Sequence, residues 1–358
     1  MPSHRIAVIG GDGIGTEVVE AGVRVLDVIG QIEPDLAFDF TRFDWGSDYY
    51  RRNGRMMAED GLAQLEAFDA IYFGAVGDPH LPDDITLWGL RLAICQGFDQ
   101  YANVRPTRLL PGLKGPLRPE LGAAIDWVIV RENSEGEYAG VGGRAHRGLP
   151  IEVGMDVAVF TRVGIERIAR FACGLAMSRP RRLLTVVTKS NAQRHGMVLW
   201  DTVVREVIRD YPGLTVDWML VDAMTQRMVN KPGTIDTVLA TNLHADILSD
   251  LAAALGGSLG IGSTANIDPS RHRPSMFEPI HGSAFDIMGK GIANPLGSLW
   301  TASLMLDHLG EKSAARRLMS AIEVVTGRGE VLSPDLGGTA DTKAVTDAVI
   351  GAIKGENS

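Results

Sequence analysis

Short apolar runs alternate along the chain with longer segments whose apolar residues recur every three or four positions. In chain order, these runs are Arg5 to Ile9 (strand-like), Glu17 to Ile29 (helix-like), Ala70 to Phe73 (strand-like), Leu87 to Gln96 (helix-like), Trp127 to Val130 (strand-like) and Leu183 to Val187 (strand-like). This alternation predicts an α/β protein with a largely parallel sheet that helices cover on both faces.

The turn Gly10-Gly11-Asp12-Gly13-Ile14-Gly15 follows the first predicted strand and precedes the first predicted helix. A dinucleotide-binding loop of the G-x-G-x-x-G type needs its third glycine at position 16, which is Thr16. A tight strand-to-helix turn is therefore at least as good an interpretation. A nucleotide site has to be sought elsewhere in the chain.

The composition excludes several classes of function. The 358 residues carry a formal net charge of −9 without a dense block of Lys and Arg, which argues against nucleic acid or an anionic membrane as the main partner. Cys95 and Cys173 are the only cysteines, which excludes a disulfide scaffold and a multi-thiolate zinc site. The apolar stretches are too short to span a bilayer, and the first residues lack signal-peptide organisation. We therefore expect a soluble, cytoplasmic protein.

Two carboxylates, Asp246 and Asp250, lie four residues apart in a segment with helical spacing, so that they share one helix face. By spacing alone, a solvated face is the more common explanation of such a pair. The alternative is a hard divalent cation, Mg²⁺ or Mn²⁺, which prefers oxygen ligands. Asp222, at the end of another strand-like run, is a third candidate ligand and favours the cation.

Four further residues have side chains suited to the chemistry of carboxylic acids. Arg105 and Arg131 each end an apolar run, and a guanidinium binds a carboxylate with two hydrogen bonds, although a structural ion pair is the alternative for either one. Tyr138 and Lys189 serve as acid and base where neighbours tune them, although each alone is more often an ordinary surface residue.

The segment from Glu278 to Pro295 is too rich in glycine for a helix, and its length indicates a binding loop. Small residues allow the backbone to approach a ligand closely. Within this loop, Asp286 is placed to accept a hydrogen bond from a ribose hydroxyl and to repel a 2′-phosphate.

Taken together, these segments resemble the β-decarboxylating dehydrogenases, the family of isopropylmalate, isocitrate, homoisocitrate, D-malate and tartrate dehydrogenases. The resemblance runs from Ile6 to about Thr301, and its most specific parts are Asp246 to Asp250, His281 to Ala284 and the paired arginines. It implies NAD-dependent oxidation, with decarboxylation, of a 2-hydroxy acid that carries at least two carboxylates. Magnesium or manganese is the implied metal, and K⁺ is left open as an additional ion.

The resemblance also assigns roles to individual residues. The residues that it assigns to metal binding are Asp222, Asp246 and Asp250. It assigns the substrate carboxylates to Arg105 and Arg131, and proton transfer to Tyr138 and Lys189. Those assigned to NAD are Glu278, His281, Gly282, Ser283, Ala284, Asp286 and Asn294, with Asp286 selecting NAD over NADP. Members of the family are homodimers or larger homo-oligomers, in which the equivalents of Lys189 and Asp222 reach the neighbouring subunit's site.

The implied architecture is a two-lobed, isopropylmalate-dehydrogenase-like α/β fold. Residues 1–103 and 256–358 are expected to form a large lobe with the NAD-binding loop and a largely parallel sheet. Residues 104–255 are expected to form a smaller α/β lobe that carries the dimer interface. The active site is expected in the cleft.

Within the family, Ile85 to Gly89, Phe98 to Tyr101 and Thr188 to Asn191 are most similar to the D-malate and tartrate dehydrogenases. The family usually has another substrate arginine where this chain has Cys95. Arg91, one helical turn earlier, is therefore a candidate substrate residue that either replaces this arginine or binds an additional group of a less common substrate; alternatively, it faces solvent.

Other functions stay open at this stage. The alternatives are a dehydrogenase of another 3-substituted malate, such as isopropylmalate, homoisocitrate or an isocitrate-like acid, and a non-catalytic regulatory subunit. A regulatory subunit typically lacks ligands, whereas the three acids, Tyr138 and Lys189 are all present here.

Overall fold

The structure, a computed structural model, describes residues 3–355 as strands and helices that alternate for most of the chain. Within this range the strands are β1 (Ser3–Gly11), β2 (Ala37–Phe43), β3 (Ala70–Ala75), β4 (Ala102–Arg108), β5 (Asp126–Glu132), β6 (Gly136–Ala145), β7 (Val153–Val159), β8 (Leu183–Thr188), β9 (Thr215–Leu220), β10 (Thr237–Ala240), β11 (Ser263–Ile267) and β12 (Ser275–Pro279). The α-helices are α1 (Gly15–Ile32), α2 (Ser47–Asn53), α3 (Gly61–Leu65), α4 (Asp83–Thr86), α5 (Leu92–Gly97), α6 (Pro119–Gly122), α7 (Arg162–Ser178), α8 (Gly196–Ile208), α9 (Val221–Asn230), α10 (Asn242–Leu255), α11 (Leu296–Leu309), α12 (Lys312–Arg328) and α13 (Thr342–Lys354).

The chain divides into two compact units. The first contains the described residues up to Gln100, Arg108–Ala123, and the described residues from Ala253 onward. The second contains Tyr101–Thr107 and Ala124–Ala252. Strands and helices alternate in both units, and most strand pairs are parallel, which confirms the predicted α/β class.

In the first unit the strands follow the order β2-β1-β3-β12-β11, and only β11 runs antiparallel to its neighbour β12. Residues Ile6 to Ile9 of β1 are buried on both faces, as their continuous apolar run predicts for a central parallel strand. Helix α1 buries the stripe that contains Val18, Leu26 and Ile29, and it ends just before Pro34.

In the second unit the strand order is β4-β5-β10-β8-β9, in which β5, β10, β8 and β9 are parallel to their neighbours in that series. Strands β6 and β7 form a separate antiparallel ribbon. The carboxyl ends of parallel strands share one edge of a sheet, and this edge carries the binding sites of open α/β sheets. Arg131 lies at this end of β5, and the segments that hold Lys189 and Asp222 follow β8 and β9.

No helix within residues 3–355 is long and apolar enough to cross a membrane.

Candidate active site

Two buried arginines converge on one carboxylate in the second unit. Arg105 on β4 places Nη1 3.3 Å from Oδ1 of Asp246, and Arg131 on β5 forms an ion pair with the same oxygen. Neighbouring side chains hold both guanidinium groups: Nε of Arg105 donates to Asn103 at 3.0 Å, and Nε of Arg131 donates to Asn242 at 2.8 Å. Two preoriented cations therefore lie beside a single acid.

Helix α10 places Asp246 and Asp250 on one face, as the spacing predicts. The side chain of Asp250 is 61% exposed, and its Oδ1 lies 3.9 Å from Nη1 of Arg105. Partial burial raises the pKa of Asp250, Arg105 opposes this shift, and the negative charge of Asp246 adds to it. A cation bound between the two carboxylates would favour their ionised forms.

Tyr138 on β6 belongs to the same cluster. Its hydroxyl group donates a hydrogen bond to Oδ2 of Asp246 at 3.1 Å, and its ring lies 5.2 Å from the guanidinium carbon of Arg131. The structure thus assembles Arg105, Arg131, Tyr138 and Asp246, which come from β4, β5, β6 and α10. Two guanidinium groups with a phenol at their side are suited to bind an acidic substrate and to transfer a proton.

Lys189 and Asp222 form a second, separate pair. Nζ of Lys189 lies 2.6 Å from Oδ1 of Asp222, which is in the first turn of α9. The hydrogen bond from Lys189 lowers the pKa of Asp222. In the part of the chain that the structure describes, no three Asp, Glu, His or Cys side chains lie close enough to hold one metal ion. Asp222 therefore does not complete a three-acid site with Asp246 and Asp250 of its own chain.

The predicted binding loop begins at the end of β12 in the first unit. Its Ser283 carbonyl accepts a hydrogen bond from the backbone amide of Ile14 at 2.8 Å, and Ile14, Val18 and Ala293 pack into one small apolar cluster. Gly13 has a φ of +58°, and a Cβ there would lie 1.9 Å from the Ser283 oxygen. The Gly10 to Gly15 turn therefore supports this loop.

Several loop residues have features that suit a dinucleotide. His281 is 7% exposed; its Nδ1 lies 3.0 Å from the Gly282 carbonyl, and its Nε2 is buried without a partner among the described residues. Burial lowers the pKa of His281, which favours the neutral ring. Asp286 is exposed, and Ala284 has a left-handed φ of +41°. A buried ring nitrogen without a partner is costly unless a ligand or a water molecule pairs with it.

Arg91 and Glu278 form a buried ion pair in the first unit. Nε and Nη2 of Arg91 lie 2.8 and 2.7 Å from Oε1 of Glu278. The possibility that Arg91 faces solvent is wrong, because only 8% of the residue is exposed. Cys95 is buried in the apolar core that also contains Leu90 and Ile94.

Two residues that hold the predicted binding loop and its flanking strand in place were not predicted from the sequence. Asp335 accepts hydrogen bonds from Asn294 at 2.9 Å and from Ser258 at 2.5 Å, and Asn266 donates to Glu278 at 2.8 Å. The turn-forming sequence Ser333 to Gly338 was the only local indication for Asp335. Asn266 lies inside a short strand and had none.

The chain is similar to known dehydrogenases over nearly its whole length. Residues 5–350 match the isocitrate/isopropylmalate dehydrogenase family. A probable tartrate dehydrogenase/decarboxylase of Agrobacterium vitis is 66% identical over 100% of this chain and 98% of the relative, and a decarboxylating D-malate dehydrogenase of Escherichia coli is 46% identical over 98% of each. The crystal structure of isocitrate dehydrogenase from Methylococcus capsulatus has a TM-score of 0.88 and 33% identity, covering 98% of this chain and 99% of that one. The chain is therefore a dehydrogenase that belongs to the isocitrate/isopropylmalate dehydrogenase family.

Proposed function

We propose that the protein oxidises and decarboxylates D-malate or tartrate, with NAD as the hydride acceptor and Mg²⁺ or Mn²⁺ as the metal. The observation that carries this proposal is the cluster in which Arg105 and Arg131 flank Asp246 beside Tyr138. The choice of substrate rests on the relatives named as tartrate and D-malate dehydrogenases. Cys95 and Cys173 are both buried, which is compatible with a reducing cytoplasm.

The residues of one chain fit a divalent cation only in part. Asp246 and Asp250 offer carboxylate oxygens, which Mg²⁺ and Mn²⁺ prefer, and a cation would oppose the burial and the charge of Asp246 that raise the pKa of Asp250. A third acid is needed from outside this face of α10. In the proposed enzyme, Asp222 of a second copy supplies it, with Lys189 beside it.

An exposed apolar ribbon supports assembly with a second copy. On strands β6 and β7, the side chains of Val141, Val153, Met155 and Val157 are all exposed. A two-stranded ribbon is marginally stable alone, and contiguous exposed apolar surface marks an interaction site. Tyr138 lies at the start of β6, so the ribbon is continuous with the arginine and tyrosine cluster.

The loop after β12 fits NAD. The buried Nε2 of His281 lacks a partner within residues 3–355, and the exposed Asp286 provides an acceptor for a ribose hydroxyl. The negative charge of Asp286 would repel the additional phosphate of NADP. Asn294 is held by Asp335 at 2.9 Å, which fixes the end of the loop.

In the proposed mechanism, Arg105 and Arg131 bind and orient the carboxylates of the substrate. When bound, NAD accepts a hydride from C2, and the divalent cation increases the acidity of the 2-hydroxyl group. Lys189 of the second copy takes the proton from that hydroxyl oxygen, and Tyr138 returns a proton to C3 after the carboxylate on C3 has left as CO₂.

The experiment that tests this proposal is NADH formation at 340 nm with Mn²⁺, with and without K⁺. The substrates are D-malate, both tartrates, 3-isopropylmalate, isocitrate and homoisocitrate. We expect strong, chelator-sensitive turnover of D-malate or tartrate. Preferred turnover of another acid would contradict the substrate assignment. Silence on all of them together with measurable NADH binding would favour an unrelated acid or a regulatory subunit.

A further inference from the structure

The ion pair of Arg91 and Glu278 is part of a buried polar network in the first unit. Oε1 of Glu278 accepts hydrogen bonds from Nε of Arg91 at 2.8 Å and from Nδ2 of Asn266 at 2.8 Å. Nη2 of Arg91 lies 3.4 Å from Oδ1 of Asn266, which closes a triangle of the three side chains. Charged and amide groups at this depth are costly unless each is paired, so the network fixes the position of all three.

The backbone around Arg91 is specialised for this contact. Residues Leu87–Arg91 form a single turn of π-helix between α4 and α5, and Leu90 and Arg91 are its buried residues. Gly89 packs so closely on Met56 that a Cβ would lie 2.8 Å from Cγ of that methionine. Single π turns recur at functional sites, because the additional residue in the turn redirects a side chain. Here the turn directs the side chain of Arg91 toward Glu278 on β12.

Glu278 is the residue through which this network reaches the proposed NAD-binding loop. It is the fourth of five residues of β12, and Pro279, Ile280 and His281 follow it directly. Its Oε1 is occupied by Arg91 and Asn266, whereas no described residue donates a hydrogen bond to its Oε2. The side chain of Glu278 is 7% exposed. One oxygen therefore anchors the carboxylate, and the other is available to a ligand.

We propose that Arg91 is a positioning residue for cofactor binding, which holds Glu278 so that its Oε2 accepts a hydrogen bond from a ribose hydroxyl of NAD. This inference rests on the proposed function. It differs from the expectation that Arg91 binds the hydroxy acid directly. Loss of the guanidinium should weaken binding of the cofactor rather than binding of the substrate. Glu278 touches the cofactor, and Arg91 acts through Glu278.

The test is NADH binding, measured by fluorescence titration without metal or hydroxy acid, to the wild type, Arg91→Met, Glu278→Gln and the double variant. We expect at least a tenfold loss of NADH affinity in each single variant. The double variant should be no weaker than Glu278→Gln, because Arg91 has nothing left to position. Arg91→Lys keeps the charge but loses the Nε donor, and it replaces Arg91→Met if that protein does not fold.

The control is Arg179→Met, which breaks another ion pair with a buried acid, that of Arg179 and Asp236 at 2.6 Å in the second unit. Its NADH affinity should stay at the wild-type value. Wild-type NADH affinity in Arg91→Met, with an increased KM for the hydroxy acid alone, overturns the positioning role. An equal loss in Arg179→Met also overturns it. A wild-type protein that binds no NADH contradicts the proposed function itself, a result distinct from both.

Discussion

The hydroxyl group of Tyr138 lies 3.1 Å from Oδ2 of Asp246, the carboxylate on which Arg105 and Arg131 converge. This hydrogen bond fixes the phenol beside the proposed substrate carboxylates. An acid in that position can return a proton to carbon without moving through solvent.

Tyr138→Phe removes this proton donor while keeping the ring against Arg131. We expect steady-state turnover to fall by about 10²- to 10⁴-fold, the usual contribution of a positioned acid. The first turnover should still form NADH and CO₂, because both appear before C3 takes its proton. Rapid-quench measurement of NADH, CO₂ and the 2-keto acid product separates these steps. Tyr211→Phe is the control, because the hydroxyl group of Tyr211 donates to the Arg170 carbonyl at 3.4 Å, outside the proposed site. A first turnover in which NADH formation or CO₂ release slows as much as the formation of the 2-keto acid product would contradict the proton-donor role.

Asp286→Ser should weaken the preference for NAD over NADP. The exposed carboxylate lies in the proposed adenosine-binding loop, where its charge repels a 2′-phosphate by roughly 1–2 kcal/mol. The ratio of kcat/KM for NADP to that for NAD should rise about 5- to 30-fold. Asp307→Ser, at the far end of α11, is the control and should leave the ratio unchanged. An unchanged ratio in Asp286→Ser would show that another residue selects the cofactor.

Gly13→Ala should displace the proposed NAD-binding loop. The new Cβ would lie 1.9 Å from the Ser283 carbonyl oxygen, and the φ of +58° is unfavourable for alanine. We expect NADH affinity to fall at least tenfold, or about 1.4 kcal/mol. Gly54→Ala separates the steric overlap from the backbone strain, because Gly54 has a φ of +70° but open space around its Cβ position. Similar NADH affinities for the two variants would show that the turn does not support the loop.

The stability of the folded chain should depend on His308 below about pH 6.5. His308 packs against Phe277 with ring centroids 5.3 Å apart. Burial lowers the pKa of His308 to about 4. The positive charge of Arg271 adds to this shift, and the negative charge of Asp268 opposes it. The unfolded chain keeps a pKa near 6.5, so between these values only the unfolded state binds the proton. Stability is therefore complete above that window and declines as the pH falls through it.

Urea unfolding at pH 7.5 and pH 5 tests this prediction on the wild type and His308→Gln. The wild type should lose about 2 kcal/mol more than the variant between the two pH values. The same loss in both proteins would assign the acid sensitivity to other groups, among which the buried His281 also has a lowered pKa.

The sequence predicted the elements whose pattern is local. The apolar runs at Arg5 to Ile9 and Leu183 to Val187 became β1 and β8, and the helical spacing from Asn242 to Ala252 became α10. In each of these segments, the period of the apolar residues matches the periodicity of a single element, so no distant contact is needed to specify it.

The contacts that define the candidate site could not be predicted in the same way. Arg91 meets Glu278 across 187 positions, and Tyr138 meets Asp246 across 108. The π turn at Leu87 was predicted as ordinary helix, because its apolar spacing is helical, whereas its contacts with Met56 and Glu278 come from distant parts of the sequence. Family resemblance assigned roles to Arg105, Arg131 and Tyr138 that their local spacing does not specify.

The separation of Asp222 from Asp246 and Asp250 makes subunit complementation the most direct test of a shared site. Asp222→Asn and Asp250→Asn should each be nearly inactive as pure proteins. When the two are co-expressed and assemble at random, half of the dimers are hybrids, and each hybrid has one site with all three acids. We expect about a quarter of wild-type activity from the mixture, with wild-type Mn²⁺ dependence. No recovery in isolated hybrid dimers would contradict a site shared between two copies of the chain.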